Sequence, residues 1–190
     1  MKGWHSRGYL PHFDGGEILQ FLTIHLGDAL PQKVIESWKI EIEREKDDEK
    51  LRQMIIKREK YLDQGYGECD LAKVEIAEIV KESLLRFDSV RYNLVSWVIM
   101  PNHVHFLIKP LNNFSVSVII QRFKSFTSHE ANKILQKSGR FWQVDYFDRY
   151  IRDYEHFEKT VNYIENNPVK AGLCEKKSDW KYSSAWNADD

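Results

Sequence analysis

Two apolar, β-branched runs, Tyr92–Met100 (YNLVSWVIM) and Val104–Pro110 (VHFLIKP), stand a few residues apart and are parted by Pro101-Asn102. A break that short predicts antiparallel pairing as a hairpin. An earlier run, Glu17–Leu26, follows a Gly15-Gly16 turn signal and reads as a central strand. Leu71–Phe87 places Val74, Ile76, Ile79, Val80 and Leu84 at helical spacing, with Asp70 as its N-cap. Beyond the hairpin, Val118–Leu135 reads as a helix that turns Phe123, Phe126 and Ala131 toward the core. Phe141–Phe147 reads as a short aromatic strand, and a last helix starts at the N-cap Asp153 and stops before Pro168. This order predicts an α+β fold: a ferredoxin-like antiparallel sheet, helices packed on one face, and an extra C-terminal helix. Residues 33–64 hold nine basic and nine acidic residues and read as a charged helical insertion, broken near Asp47-Asp48, in a single domain spanning 1–190.

Composition narrows the function classes. The 190 residues carry 28 Lys+Arg against 29 Asp+Glu, so a uniformly basic nucleic-acid binder is excluded and any anion-binding footprint is local. Residues 1–90 sum to −4 and residues 91–190 to +3, and Lys109–Arg140 is the densest basic stretch, with six cations and one acid. Cys69 and Cys174 stand in no metal-ligand spacing, which argues for a reducing compartment and against a disulfide scaffold. No apolar run approaches the ~20 residues of a membrane span, and the first residues lack a signal-peptide core, so a cytoplasmic protein with no membrane partner is expected.

His103 and His105 lie two apart on a strand, so both imidazoles leave one face and can grip one metal ion from the same side. Two nitrogen ligands leave positions open for a third protein ligand, water and substrate oxygens. On the last helix, Tyr154, Phe157, Val161 and Ile164 form an apolar stripe that assigns Tyr154 to the core. Tyr163 then points away from that stripe, on a side it shares with His156 and Asn167. Periodicity leaves Tyr146 and Tyr150 open as alternative reactive phenols.

Four blocks together, Trp97–Pro110, Tyr163–Leu173, Gly8–Asp14 and Trp180–Ala185, resemble the REP-associated tyrosine transposases. That group is a branch of the single-tyrosine HUH (IS200-like) family, whose name denotes the His103-Val104-His105 pattern present here. The resemblance implies metal-dependent cleavage and strand transfer of single-stranded DNA at palindromic hairpins, through a 5′-phosphotyrosine on Tyr163. It implies a site holding Mg2+ or Mn2+ on His103 and His105, with Asn167 completing the metal shell. It also turns the basic residues into candidate DNA contacts: Lys109, Arg122, Lys124 and Arg140 in the basic stretch, Arg7 before the first strand, and Lys170 beside the nucleophile. Phe123, Phe126 and Trp142 are open to stacking or core roles. The resemblance implies either a monomer or a homodimer. The competing reading is a domesticated hairpin-binding protein without productive transposition. A zinc hydrolase would need a third strong ligand, and no spacing in the sequence identifies one.

Overall fold

The computed structural model describes residues 3–6 and 11–187. A two-stranded hairpin, β1 (Gly3–Ser6) and β2 (Pro11–Asp14), precedes the first strand of the main sheet, β3 (Gln20–His25). The charged segment folds as α1 (Gln32–Glu41) and α2 (Asp47–Leu62), broken where the sequence predicts. Then come α3 (Val74–Leu85), the hairpin β4 (Tyr92–Ile99) and β5 (His103–Pro110), α4 (Val116–Leu135), β6 (Phe147–Tyr150) and α5 (Tyr154–Lys170). The four strands of the main sheet are ordered β4-β5-β3-β6 and all neighbours are antiparallel. With α3 and α4 in the two crossovers, this is the ferredoxin-like α+β arrangement.

Strand parity divides the core. Leu22 and Ile24 of β3 and Val104, Phe106 and Ile108 of β5 enter the larger cluster with Ile76, Val80 and Leu84 of α3 and Ile119, Ile120 and Phe123 of α4. The alternate residues Phe21, Val98, Leu107 and Phe147 face the other way and meet Ile164 of α5. The extra helix therefore covers the sheet face that carries His103 and His105. Covering both faces explains why every residue of β3 is buried.

Several local expectations are corrected. Asp70 opens a short 3-10 turn, and the α3 N-cap is Lys73; the Asp70 carboxylate instead pairs with Lys73 and Lys137. Residues 141–143 pair with the end of β3 only through an isolated antiparallel bridge, Trp142 to Leu26, with Gly27 N–H donating to Phe141 O and Gln143 N–H to His25 O; the carbonyls of Gln143, Val144 and Asp145 then turn toward Lys124 Nζ, and the strand proper begins at Phe147. Phe126 is exposed while Phe123 and Trp142 are buried, Trp142 donating its indole N–H to Thr127. Helix α5 runs through Pro168 and ends in a Schellman closure at left-handed Gly172. There Gly172 N–H reaches Val169 O and Leu173 N–H reaches Pro168 O, each at 2.9 Å, so the last carbonyls keep partners despite the missing proline N–H.

Residues after α5 return across the molecule as a strap along β4. Ile99 N–H donates to Tyr182 O and Ser184 N–H to Trp97 O, while the Trp180 indole donates to Ile99 O. The otherwise open edge of the sheet is thereby covered.

Candidate active site

The buried imidazoles of His103 and His105 leave β5 on the α5 side with ring centroids 4.5 Å apart. Asn102 orients the first. Its amide nitrogen donates to Leu62 O and Tyr66 O, which leaves its oxygen to accept from His103 Nδ1–H at 2.7 Å. That tautomer directs the lone pair of Nε2 inward, where it meets no hydrogen-bond partner among the described residues. Thr23 on β3 holds His105 Nδ1 at 2.9 Å, so the second imidazole also presents Nε2 to the site. Burial keeps both rings neutral: it drives His103 well below the ordinary imidazole range and His105 down to about 3, with Arg58 and Lys170 acting in the same direction.

Helix α2 contributes what sequence reasoning missed. Asp63, just past its last turn, brings a carboxylate to the two imidazoles, with one ligand atom from each of the three within 4.8 Å of one another. Its Oδ2 pairs with Lys170, while Oδ1 is buried without a partner. Glu59 Oε1 and both polar atoms of the Asn167 amide are likewise buried and unpartnered. Buried polar atoms are almost always satisfied, so the orphaned Asp63 and Glu59 oxygens beside two oriented histidines are the pattern of a cation site. The mixed imidazole and oxygen donor set suits a divalent ion. The sequence did carry a signal. Arg58 and Glu59 fall within the apolar spacing that runs from Leu51 through Ile55 to Leu62, so two charges occupy a seam that faces inward.

Tyr163 sits at the edge of this group. Its hydroxyl donates to Glu59 Oε2 at 2.5 Å and lies 3.4 Å from His105 Nε2, and its ring packs edge-on against Phe21. Burial and the Glu59 carboxylate push the phenol above its ordinary pKa, so the hydroxyl is protonated in this arrangement. Tyr163 thus faces the sheet, contrary to the periodicity reading, and Tyr154 is 72% exposed instead of core. The reason is that the sheet face under α5 carries Thr23, His103 and His105 among its apolar residues. The buried seam of the helix therefore contains Thr160, Ile164 and Asn167, which a search for apolar residues rotates out of place.

The structure scatters the basic candidates. Lys170 lies at the site, its ammonium 5.6 Å from the Tyr163 ring centroid. Lys124 is enclosed by three backbone carbonyls, and burial lowers its pKa to about 7. Arg122 is exposed on α4, which packs on the opposite sheet face; Lys109 is exposed near the far end of β5; Arg140 is exposed beside Gln143. Arg7 lies outside the described residues.

A family model described as "Transposase IS200 like" matches residues 50–167, which include Asp63, both histidines, Tyr163 and Asn167. A Haemophilus influenzae protein named as a candidate REP-associated tyrosine transposase is 33% identical over 103 residues, covering 49% of this chain and 58% of that protein. The REP-associated tyrosine transposase of Escherichia coli is 27% identical over 94 residues, covering 49% and 54%. The chain thus spans little more than half the length of either relative. A solved structure described as a REP-associated tyrosine transposase bound to a REP hairpin superposes with a TM-score of 0.57 over 94% of this chain and 82% of the other. At 16% sequence identity, that likeness establishes a shared fold.

Proposed function

Because the chain belongs to the IS200-like transposase family, we propose that it cleaves and rejoins single-stranded DNA beside a palindromic hairpin, with Tyr163 as nucleophile. The observation that carries this reading is the 3.4 Å approach of the Tyr163 hydroxyl to His105 at a cluster of oriented but unsatisfied donors. His103, His105 and Asp63 would hold the divalent ion, Mg2+ or Mn2+, and the buried, unpartnered Asn167 amide is the candidate to complete its shell. When bound, such an ion polarises a phosphodiester oxygen and offsets the negative charge that keeps the phenol protonated. In the cleavage step Tyr163 Oη bonds to phosphorus as the P–O3′ bond breaks. The phenol's proton passes to Glu59, which already accepts its hydrogen bond, and the departing 3′-oxygen takes a proton from solvent water. The phosphotyrosine keeps the phosphodiester at nearly the same energy, so a free 3′-hydroxyl reverses the step without ATP.

Lys170 and Asp63 form an ion pair across the site that ties α5 to the end of α2. Lys109, Arg122, Arg140 and Arg7 are the further candidate contacts to hairpin phosphates. Lys124 instead supports the 143–145 loop.

The test incubates the protein with Mn2+ and hairpin oligonucleotides drawn from palindromes flanking its own gene, followed by a denaturing gel. A covalent protein–DNA adduct is expected for the wild type and none for Tyr163→Phe. Tight hairpin binding without an adduct in either metal would replace this reading with that of a binding protein.

A further inference from the structure

Two separate openings adjoin the candidate site. The larger, of about 400 Å³, lies between β6, the first turns of α5 and the middle of α2, and the site residues that line it are Glu59 and Tyr163. The smaller, of about 100 Å³, lies where the turn after α2, the β4–β5 turn and the end of α5 meet. It is lined instead by Asp63, His103 and the Asn102 that orients His103. The two openings share no lining residue.

On the larger side the way to the imidazoles is shut. Tyr163 Oη donates to Glu59 Oε2 at 2.5 Å, and His105 Nε2 lies 3.4 Å from the hydroxyl and 3.5 Å from the carboxylate oxygen. Those contacts leave no space for an ion among the three groups, so an ion arriving there has to part a hydrogen bond between buried partners. The smaller opening presents donors directly. Asp63, whose side chain is 12% exposed, brings a negative charge to it. Asp63 Oδ1 and His103 Nε2 are both buried and unpartnered, and Lys170 holds the other carboxylate oxygen, which fixes the group in place. The volume is about three times the ~30 Å³ share of one water, which is room for a divalent ion that keeps part of its hydration. Gln64 and Leu173 on its lining are exposed and supply none of the ligand atoms.

We infer that the divalent ion enters and leaves through the opening between the 62–65 turn, the β4–β5 turn and Leu173, while DNA reaches Tyr163 from the other side. The assignment rests on the proposed metal site and adds a property of its regulation. Ion loading and DNA binding are independent in order, and the ion exchanges while the hairpin stays bound.

The test measures Mn2+ release by stopped-flow mixing with excess fluorescent chelator, and Mn2+ affinity by calorimetric titration. Gln64→Trp/Leu173→Trp narrows the rim without touching a ligand. Release from this double variant is expected to slow about tenfold with Kd unchanged, because an obstruction at the mouth acts on both directions alike. An unchanged melting temperature verifies the fold. In a Tyr163→Phe background, where no chemistry intervenes, saturation with a hairpin carrying single-stranded flanks should leave the release rate as it is without DNA. Release from the double variant as fast as from the wild type, a change in Kd in place of matched changes in both rates, or suppression of release by the bound hairpin would overturn the assignment. Failure of the metal reading registers separately, as a wild-type titration with no Mn2+ binding that His103→Ala removes.

Discussion

Asn102 is the residue on which the geometry of His103 depends. One amide fixes both the backbone of the 62–66 turn and the tautomer of the imidazole. Asn102→Ala is expected to weaken divalent-ion binding by about 10–100-fold, as loss of an outer-shell partner does; calorimetric titration with Mn2+ measures it. His25 lies across from His103 in the β3–β5 register and is held neutral by burial at a pKa of about 3, with Arg58 assisting. A folded-state pKa below the unfolded value of about 6.5 means that the unfolded chain takes the proton first. Stability from this group is therefore present above pH 6.5 and lost as the pH falls toward 3. His25→Gln should flatten the fall in urea midpoint between pH 6.5 and 4, and an unchanged slope would contradict the assignment. His103 and His105 were legible from their spacing because parity on a strand is a local property. Asp63 was not, because its approach depends on how α2 docks against β5.

At the scale of elements, His12 and Phe13 fasten the N-terminal hairpin to the sheet edge. His12 on β2 bridges Asp148 at 2.5 Å and Asp145 at 2.8 Å, while Phe13 N–H donates to Asp148 at 2.8 Å. Burial alone would lower the His12 pKa, but the two carboxylates outweigh it and hold the imidazolium up to about 9. The sign is opposite to that of His25. This contribution is complete below pH 6.5 and disappears as the pH rises through 9. Hydrogen exchange at the Phe13 amide, corrected for its intrinsic pH dependence, should lose protection over that window, and His12→Gln should remove the pH dependence. Helix α5 illustrates how element-level reasoning errs. Its limits were set by Asp153, correctly, and by Pro168, incorrectly, because a proline near a helix end forfeits one hydrogen bond that the Gly172 closure and its own burial offset.

Across the whole molecule, the segment after α5 acts as a strap. It pairs with Trp97 and Ile99 and places the Trp180 indole against the sheet face under α5. Removing residues from 178 onward should lower the melting temperature and produce concentration-dependent light scattering, since β4 would present a long unpaired edge. Melting behaviour identical to that of the full chain would show that the strap is dispensable. The linear sequence determined the β4–β5 hairpin, the order of the main-sheet strands and their helices, the HxH pair and the four blocks of family resemblance, because each is written in spacings of a few residues; it did not show the β1–β2 hairpin. Only the tertiary structure decided which acids reach the histidines, which face of α5 is buried, and where the basic residues point. Those outcomes depend on contacts between residues as far apart as Asp63 and Lys170, and on a buried seam that is polar because it surrounds a site, which leaves no apolar period to read.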